Sequence, residues 1–582
     1  MDRPRIGALI VLAAGAVLFL TRVNSSALSE PDEGRYAEVA REMLASGDYV
    51  TPRYNGVRYL AKPPLLFWVT AGSFAILKPS EFAARLPSKL AAIGCMFACY
   101  LLGRAMFGNR AGLLSALVLG TSVLYYAQGQ IIRFDSPLVL LLVLAFLLFW
   151  RSRDAPSHGH RVLYWFFMYA ALAAATLTKG PAFVVIVALT MGAYCVVARA
   201  LGLPADRQDS AGWRLTAGSV ALHVALVALA FGAIAMPWYL AAERANPGFL
   251  RYFLLGENLQ RAATSWDHPE PWWYFIAWTP ALFLPWTASL PLCFWAAWRD
   301  LRERRRASRA WVLCLAWMFV CLVAFSASKT KLQVYMLPAM PPLALMAAKA
   351  LADAFAPEAD AHIRTFGRAT LIALGASTIV LAAAGAWYLH TRFATEGLAG
   401  PVWMRLVLAC ACVGLTGAAF VALQTSNGRA AVLLSCCAAG ATMVLLGGLV
   451  EAIGNQQSVR PLAAIATLEA QRVKKATGQR GLIVIYGSLG QMRGAPFYTS
   501  AAPCRVIVVD KMPKEWRFDE EEARTSGRWF EKDRITDFVL GERPVWCLTL
   551  RDEYTRLLTL TGDRYRVLGR HGKMLLFTNA RR

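Results

Sequence analysis

Long apolar stretches separated by short polar loops fill the chain from its N-terminus to about residue 450. Each is long enough to cross a hydrocarbon core of about 30 Å as a helix. Because lipid offers the backbone no hydrogen-bond partners, such stretches must be helices. The pattern predicts thirteen membrane spans, one within the first 23 residues and the others near 86–105, 110–128, 136–150, 162–178, 180–199, 215–240, 274–297, 310–327, 332–352, 369–389, 402–423 and 430–450.

The distribution of basic loops predicts the orientation of these spans. The apolar stretch 63–78 is short and opens with two prolines, so we expect it to lie along the outer interface without crossing. The most basic loop, Arg299 to Arg309, then falls on the cytoplasmic side with the other arginine-rich loops. The N-terminus is predicted to be cytoplasmic and the C-terminus external. Ser25-Ser26-Ala27 also fits a signal-peptide cleavage site, and either interpretation places residue 24 onward outside.

The composition supports a membrane protein and excludes several other classes. Of 582 residues, 57% are hydrophobic and 17% charged, whereas soluble chains average about 45–50% apolar and about 25% charged residues. A soluble enzyme, a disordered scaffold and a secreted disulfide-rich domain are therefore excluded. The net charge of +24 would suggest nucleic acid for a soluble chain. Here it points to anionic lipid surfaces and phosphate-bearing substrates, with no nucleic-acid partner.

The composition changes after residue 450 and predicts a second domain. Residues 460–474 have a helical pattern, and short buried strands are predicted at 481–486, 505–510 and 545–550, followed by a strand pair around Gly569 and Gly572. We therefore divide the chain into a transmembrane domain, 1–450, and a small external α/β domain, 451–582. Cys504 and Cys547 could form a disulfide in an oxidising compartment, which the sequence leaves open.

The two longest external loops of the transmembrane domain, 24–85 and 241–273, hold most of its acidic residues. In the first loop Asp32 and Glu33 precede an amphipathic helix, and Arg58, Tyr59 and Lys62 follow. An acidic pair at a helix start can simply favour the helix dipole. Beside a membrane and close to these cations, the pair indicates a functional site at least as well.

Other ionisable residues stand at the outer ends of spans. They are Asp135, Lys179, Lys329, Tyr335 and the cluster Glu257 to Arg261. A single lysine at the end of a span usually only extends its ammonium group to the membrane interface. All these groups nevertheless fall on the outer side in a topology derived independently of them, so we predict one site there. Glu81 and His268 are weak candidates for metal ligands, and a divalent metal stays possible.

This combination of groups suits a substrate with a phosphate head and a long lipid tail. Cations and a tyrosine hydroxyl would bind the phosphate and stabilise it as a leaving group. A carboxylate would position or deprotonate the acceptor. A lipid transporter should instead carry charges in mid-span and inverted repeats, and a structural scaffold would not need such a cluster. We therefore favour an enzyme that uses an activated lipid donor.

The run from Pro31 to Asp48, with Arg58-Tyr59 and Lys62-Pro63, closely resembles the bacterial lipid A aminoarabinose transferases. These are membrane glycosyltransferases of the GT-C type, related to the protein O-mannosyltransferases. The resemblance covers essentially the whole transmembrane domain and, more loosely, the C-terminal domain. Further similar segments are Asp135-Ser-Pro137, Thr178-Lys-Gly180, Met236-Pro-Trp238, Glu257 to Arg261 and Lys329 to Tyr335.

The resemblance implies a polytopic GT-C fold with thirteen transmembrane helices and amphipathic periplasmic helices. It implies transfer of 4-amino-4-deoxy-L-arabinose from undecaprenyl phosphate to lipid A phosphates at the periplasmic face of the inner membrane. The modified lipopolysaccharide would bind cationic antimicrobial peptides such as polymyxin less well. The bacterium would thereby gain antibiotic resistance. The alternative is a related enzyme that moves another polyprenyl-phosphate-linked sugar to a different envelope lipid, glycan or protein.

The resemblance also implies roles for individual residues. Asp32 would be the main catalytic carboxylate, orienting an ionised phosphate acceptor or acting as a base toward a hydroxyl acceptor. Some relatives have an acidic residue where this chain has Ala61, so a metal that relies on that ligand is in doubt. The implied catalytic groups are Asp32, Glu33 and Asp135, and those binding the donor phosphate or substrate are Arg58, Tyr59, Lys62, Arg261, Tyr335, Lys329 and Lys179.

Overall fold

The fold is described from a computed structural model. It describes residues 3–21, 26–203, 216–260, 269–396, 402–424, 428–513, 516, 520–562 and 565–580. By their internal contacts, the residues divide into two compact units. The membrane unit consists of Met1–Arg22, Ser88–Tyr239 and Leu255–Leu449, and the loop unit consists of Val23–Pro87, Leu240–Leu254 and Val450–Arg582.

Helices dominate the described chain. In order they are α1 (Arg3–Leu20), α2 (Asp32–Ser46), α3 (Leu65–Leu77), α4 (Glu81–Phe107), α5 (Asn109–Gly120), α6 (Val123–Gly129), α7 (Asp135–Arg153), α8 (His158–Lys179), α9 (Ala182–Ala200), α10 (Ala217–Ile234), α11 (Met236–Ala245), α12 (Phe249–Arg251), α13 (Tyr274–Leu282), α14 (Leu290–Arg302), α15 (Ser308–Ala327), α16 (Met340–Ala354), α17 (Ala361–Glu396), α18 (Val402–Gln424), α19 (Gly428–Gln456), α20 (Arg460–Thr477), α21 (Ala495–Tyr498), α22 (Glu520–Thr525), α23 (Ile535–Val539) and α24 (Arg551–Thr561).

The strands are few and short. They are β1 (Arg53–Tyr54), β2 (Val57–Arg58), β3 (Leu482–Tyr486), β4 (Arg505–Val509), β5 (Trp529–Phe530), β6 (Val545–Leu550), β7 (Arg566–His571) and β8 (Met574–Thr578).

The chain is a multi-pass membrane protein. Among the described residues, nine helices are long and apolar enough to span a membrane, or up to eleven if each of two bent helix pairs counts as one span. The predicted total of thirteen therefore stays a prediction. Helix α3 has 13 residues, too few for a span of about 20 residues, as expected for stretch 63–78.

Close helix packing in the membrane unit depends on small residues. A side chain at Gly112 on α5 would meet the backbone of α4 at the Arg104 nitrogen and the Tyr100 oxygen, each 2.7 Å from its Cβ. Small residues let backbones approach in this way when lipid provides little hydrophobic drive for association. The packing holds α4 against α5 and continues into a core of large buried side chains such as Trp311 and Trp317.

A tight hairpin in the loop unit joins β1 to β2. Arg53 pairs with Arg58 and Tyr54 with Val57 across the two strands. The turn residues Asn55 and Gly56 have φ values of 51° and 76°, as a two-residue type I′ turn requires. The Asn-Gly sequence therefore determines the hairpin, which leads directly into Tyr59.

The C-terminal part of the loop unit is a six-stranded sheet in the order β5-β4-β3-β6-β8-β7. Strands β3 to β6 are parallel, and β8 runs antiparallel to both neighbours. The predicted helix, the three buried strands and the final strand pair are confirmed, while the two-residue strand β5 was missed by the sequence pattern.

Cys504 and Cys547 are free thiols in the structure, so the disulfide left open by the sequence is not formed. Cys504 directly precedes β4 and Cys547 lies in β6, and β3 runs between these strands. Strands β4 and β6 are two strand spacings apart, which is roughly 9–10 Å. This distance alone exceeds the Cα separation of at most about 7 Å that a disulfide tolerates.

Residues of loop 24–85 pack together with the C-terminal sheet domain in the loop unit. The Tyr54 hydroxyl donates to the Arg493 carbonyl oxygen at 2.9 Å. Gly34 on α2 lies against the Gly494 backbone, where a Cβ would come within 2.4 Å. The sequence boundary near residue 450 thus separates segments of different composition, whereas packing joins loop 24–85 to the sheet domain on the C-terminal side of that boundary.

Candidate active site

Asp32 is the first residue of α2 and stands beside a fixed cation. One Arg35 guanidinium nitrogen lies 2.5 Å from Asp32 Oδ1, and the Asp32 side chain is 20% exposed. Buried Arg35 is held over the rings of Tyr36 and Tyr59, 5.0 and 5.1 Å from their centroids. Asp32 is thus an accessible carboxylate whose direction is set by a guanidinium clamped between aromatic rings.

The neighbouring carboxylate, Glu33, is tied into the protein. Arg85 on α4 donates to both of its oxygens at 2.8 and 2.7 Å, and the Ser29 amide donates at 2.8 Å. Both Glu33 and Arg85 are buried. These contacts fasten the start of α2 to α4, which is a structural task, and the predicted catalytic role of Glu33 stays a prediction.

Glu30 is a buried carboxyl group that the sequence analysis did not single out. The Gly494 amide donates to its Oε1 at 2.8 Å. Burial is the largest influence on this group and raises its pKa to about 8, against the opposing effects of that hydrogen bond and of Arg493. Glu30 is therefore mostly protonated at neutral pH.

The three predicted phosphate-binding residues that follow the hairpin have different surroundings. The Arg58 guanidinium is bonded to the Glu522 carboxylate and donates to Asn246 Oδ1 at 3.3 Å. Tyr59 is buried, with its ring 5.3 Å from that of Trp516. Lys62 is half-buried in the turn before α3. Arg58 therefore already has a carboxylate partner, which favours a positioning role over direct binding.

A second cluster of predicted residues lies in the membrane unit. Asp135 begins α7 and Lys179 ends α8, and their charged groups are 2.6 Å apart. The Lys179 ammonium also lies 5.3 Å from the ring centroid of Tyr335. Because charges within a membrane protein are costly unless paired, this arrangement at helix ends is typical of functional groups.

The remaining predicted residues are dispersed. Lys329 is exposed, whereas its neighbour Lys331 is buried and donates to the Glu270 carbonyl oxygen at 2.9 Å. Glu257 is buried within a π-helix, Tyr252–Gln260. Arg261 and His268 lie outside the described residues.

The described residues contain no group of three His, Cys, Asp or Glu side chains arranged to hold a metal ion. Glu81, one of the two weak candidates for a metal ligand, forms an ion pair with Arg460 at 3.2 Å. A metal role for Glu81 and His268 stays a prediction.

Several groups that shape the site were missed by sequence analysis. Arg35 belongs to the recognised motif and could have been found there. Arg85, Arg493 and Glu522 carried no local signal, because each acquires its partner from a distant part of the chain.

Comparison with known proteins identifies the family. Residues 6–253 match the dolichyl-phosphate-mannose-protein mannosyltransferase family. An undecaprenyl phosphate-alpha-4-amino-4-deoxy-L-arabinose arabinosyl transferase of Pseudomonas aeruginosa is 30% identical over 67% of this chain and 67% of its own length. Proteins described as undecaprenyl phosphate-alpha-4-amino-4-deoxy-L-arabinose arabinosyl transferase 2, from Proteus mirabilis and Pseudomonas fluorescens, are 28% and 31% identical. These matches cover 76% and 59% of this chain, and 76% and 56% of the relatives' own lengths.

Solved structures agree on the fold. ArnT from Cupriavidus metallidurans bound to undecaprenyl phosphate superposes with a TM-score of 0.78 at 23% identity and covers 98% of both chains. The archaeal oligosaccharyltransferase AglB from Archaeoglobus fulgidus has a TM-score of 0.51 at 11% identity, over 97% of this chain and 72% of its own. With the first-loop motif and the membrane fold in place, the chain belongs to the undecaprenyl phosphate-alpha-4-amino-4-deoxy-L-arabinose arabinosyl transferase family of membrane glycosyltransferases.

Proposed function

We propose that this protein transfers 4-amino-4-deoxy-L-arabinose from undecaprenyl phosphate to phosphate groups of lipid A at the periplasmic face of the inner membrane. The proposal rests on the function for which the relatives are named and on one structural observation. Asp32, in the motif that characterises the family, is an accessible carboxylate directed by buried Arg35.

In the proposed reaction an acceptor phosphate oxygen attacks C1 of the sugar. The bond from C1 to the donor phosphate breaks, and undecaprenyl phosphate leaves with the bonding electrons. An ionised phosphate acceptor needs no deprotonation, so Asp32 orients the acceptor or the sugar. Because Asp32 remains partly exposed beside Arg35, it can contact a substrate without breaking the internal packing of α2.

The proposed phosphate-binding groups are cations and hydroxyl donors. Lys179 and Tyr335 would stabilise the charge that develops on the departing phosphate, with Asp135 holding the Lys179 ammonium in place. Lys62, Tyr59, Lys329 and Arg261 are further proposed phosphate-binding residues, and Arg58 would position the hairpin through Glu522.

Mass spectrometry of lipid A tests the proposal in a Gram-negative strain that makes the donor but lacks its own transferase. We expect wild-type protein to add one aminopentose to lipid A and Asp32→Ala to abolish the addition. Asp48→Asn is the matched control, because Asp48 is a half-buried carboxylate of the same loop that accepts hydrogen bonds from the Val50 and Thr51 amides. No added mass despite wild-type protein in the membrane would favour the alternative of another sugar or acceptor.

The role of Asp32 is tested by the pH dependence of transfer. If Asp32 orients the substrate, neither wild type nor Asp32→Asn shows a rate that follows the ionisation of a carboxylate. If Asp32 is a base toward a hydroxyl acceptor, the wild-type rate rises with such an ionisation and the variant loses that rise.

A further inference from the structure

A cleft whose charged side chains are mainly basic opens in the loop unit, and we name it the basic cleft. Its volume is about 610 Å³, within the usual range of about 300–1,000 Å³ for small-ligand sites. Its charged lining consists of Lys474, Arg41, Arg480, Arg505, Arg528, Arg543, Glu38 and Glu42.

The topology of the C-terminal sheet explains why these cations meet. The amino ends of parallel strands share one edge of a sheet, and an arginine stands at that end of each of the four parallel strands. Arg480 and Arg543 lie just before β3 and β6, Arg505 begins β4, and Arg528 directly precedes β5. Lys474, in the last turn of α20, joins them in the lining.

The cations of the basic cleft differ in how well they are paired. Arg41 is bonded to Glu38, and Arg505 and Arg528 donate to the Ser526 carbonyl oxygen and to Asn55 Oδ1. Lys474, Arg480 and Arg543 are exposed and form no salt bridge within the described part of the chain. Like charges collected in one concavity repel each other, and a bound anion would relieve that repulsion.

The shape and the uncharged lining restrict the anion. A concave cleft suits a discrete ligand better than it suits a flat lipid surface. Ser500 adds an exposed hydroxyl group, whereas Asn55 and Thr499 are buried and donate to the Val506 and Ala495 carbonyl oxygens. No aromatic side chain among the described lining residues offers a platform for a nucleobase. Charge-assisted contacts from several arginines are typical of phosphate and carboxylate recognition.

We propose that the basic cleft binds a saccharide that carries two or more phosphate or carboxylate groups. Identifying this saccharide with the head of the lipid acceptor rests on the proposed function, whereas the assignment of an anionic saccharide rests on the cleft itself.

The test uses full-length protein in detergent micelles and measures, by calorimetry, binding of a deacylated, diphosphorylated glucosamine disaccharide. The cleft variant Lys474→Gln/Arg480→Gln/Arg543→Gln should bind it at least about tenfold more weakly than wild type. The matched control Lys475→Gln/Arg570→Gln/Lys573→Gln removes the same charge from exposed positions of the loop unit outside the cleft, and should bind like wild type. The unphosphorylated disaccharide should not bind detectably.

Equal weakening in both variants would overturn the inference, because it would indicate a long-range charge effect. Inorganic phosphate that binds as tightly as the disaccharide would also overturn it, since the cleft would then be a simple phosphate site. Loss of co-purifying anionic phospholipid from the cleft variant, with disaccharide binding unchanged, would assign the cleft to lipid and contradict the inference.

Sugar transfer by wild-type protein is measured on the same preparation. Cleft-dependent binding without transfer would contradict the proposed function and support the anionic-saccharide site. Transfer without cleft-dependent binding would contradict only the site.

Discussion

Neighbouring carboxyl groups around the start of α2 have different tasks because their surroundings differ. Asp32 is accessible and is oriented by Arg35. Glu33 is buried, and both of its carboxylate oxygens accept hydrogen bonds from Arg85. The carboxyl group of half-buried Glu30 is enclosed, accepts a hydrogen bond from an amide and has a raised pKa. Burial and partners, which the local sequence does not report, therefore distinguish one accessible carboxylate from two that internal contacts hold in place.

Glu30 should make the stability of the protein depend on pH. Its pKa is about 8 in the folded protein and has a usual value of 4.5. Between these values the folded state binds more protons than the unfolded state, so stability falls as pH rises toward 8. Glu30→Gln stays neutral at every pH. We therefore expect the melting temperature of this variant, relative to that of wild type, to increase from pH 5 to pH 8. The exposed Glu542→Gln serves as the control, and a gap that stays constant with pH would contradict this prediction.

Glu33 should matter more for stability than for the reaction. Glu33→Gln removes one member of a buried ion pair and leaves Arg85 uncompensated, which costs about 3–5 kcal/mol in such pairs. We expect a lower melting temperature in detergent and, for the folded fraction, transfer close to wild type. Asp32→Asn should show the opposite pattern. Loss of transfer by folded Glu33→Gln would restore Glu33 as a catalytic candidate.

At the scale of elements, the position of α2 depends on one glycine. Gly34 faces the Gly494 backbone, with no flexible side chain between them that could move aside. Helix propensity alone would favour alanine at position 34 by roughly 1 kcal/mol. The packing therefore opposes the local preference and decides the residue.

Gly34→Ala should destabilise the protein, by about 1–3 kcal/mol as overpacked sites usually do. The matched control is Gly72→Ala on α3, where nothing lies within 4 Å of the added methyl group. We expect this control to leave stability unchanged or to raise it slightly. Chemical unfolding followed by tryptophan fluorescence measures both, and equal effects of the two substitutions would show that packing at Gly34 is not limiting.

At the scale of the whole molecule, the loop unit is assembled from three separate parts of the chain. Glu522 is bonded to both Arg53 and Arg58 of the hairpin, and Asn246 donates to Thr51 at 3.0 Å. Loop 24–85 thus obtains its fixed shape from residues that are distant along the chain. The C-terminal domain is therefore a structural support for the family motif.

Removing residues 450–582 should release loop 24–85 from its packing partners. Without Glu522 and Arg493, the hairpin loses its ion pairs and the Tyr54 hydroxyl loses its acceptor. We expect rapid trypsin cleavage at Arg53 or Arg58 in membranes and no sugar transfer. A chain lacking only residues 581–582 is the control, and a truncated protein with a protected loop would contradict this assembly.

The sequence alone determined the features that depend on neighbouring residues. Apolar length predicted the membrane helices, short continuous apolar runs predicted strands β3, β4 and β6, and the motif from Pro31 to Asp48 identified the family. These signals are local because a helix forms its backbone hydrogen bonds within its own segment, and because the apolar face of a helix or a strand is a pattern of neighbouring residues.

Only the tertiary structure decided which charged groups are available. In the folded protein Glu33 forms an ion pair with Arg85, and Arg58 forms one with Glu522. The fold also keeps Cys504 and Cys547 apart, and it brings cations from four strand ends together in the basic cleft. The physical reason is that pairing and burial of a charge are set by residues brought close in space by the fold, and the spacing of residues along the chain does not encode that proximity.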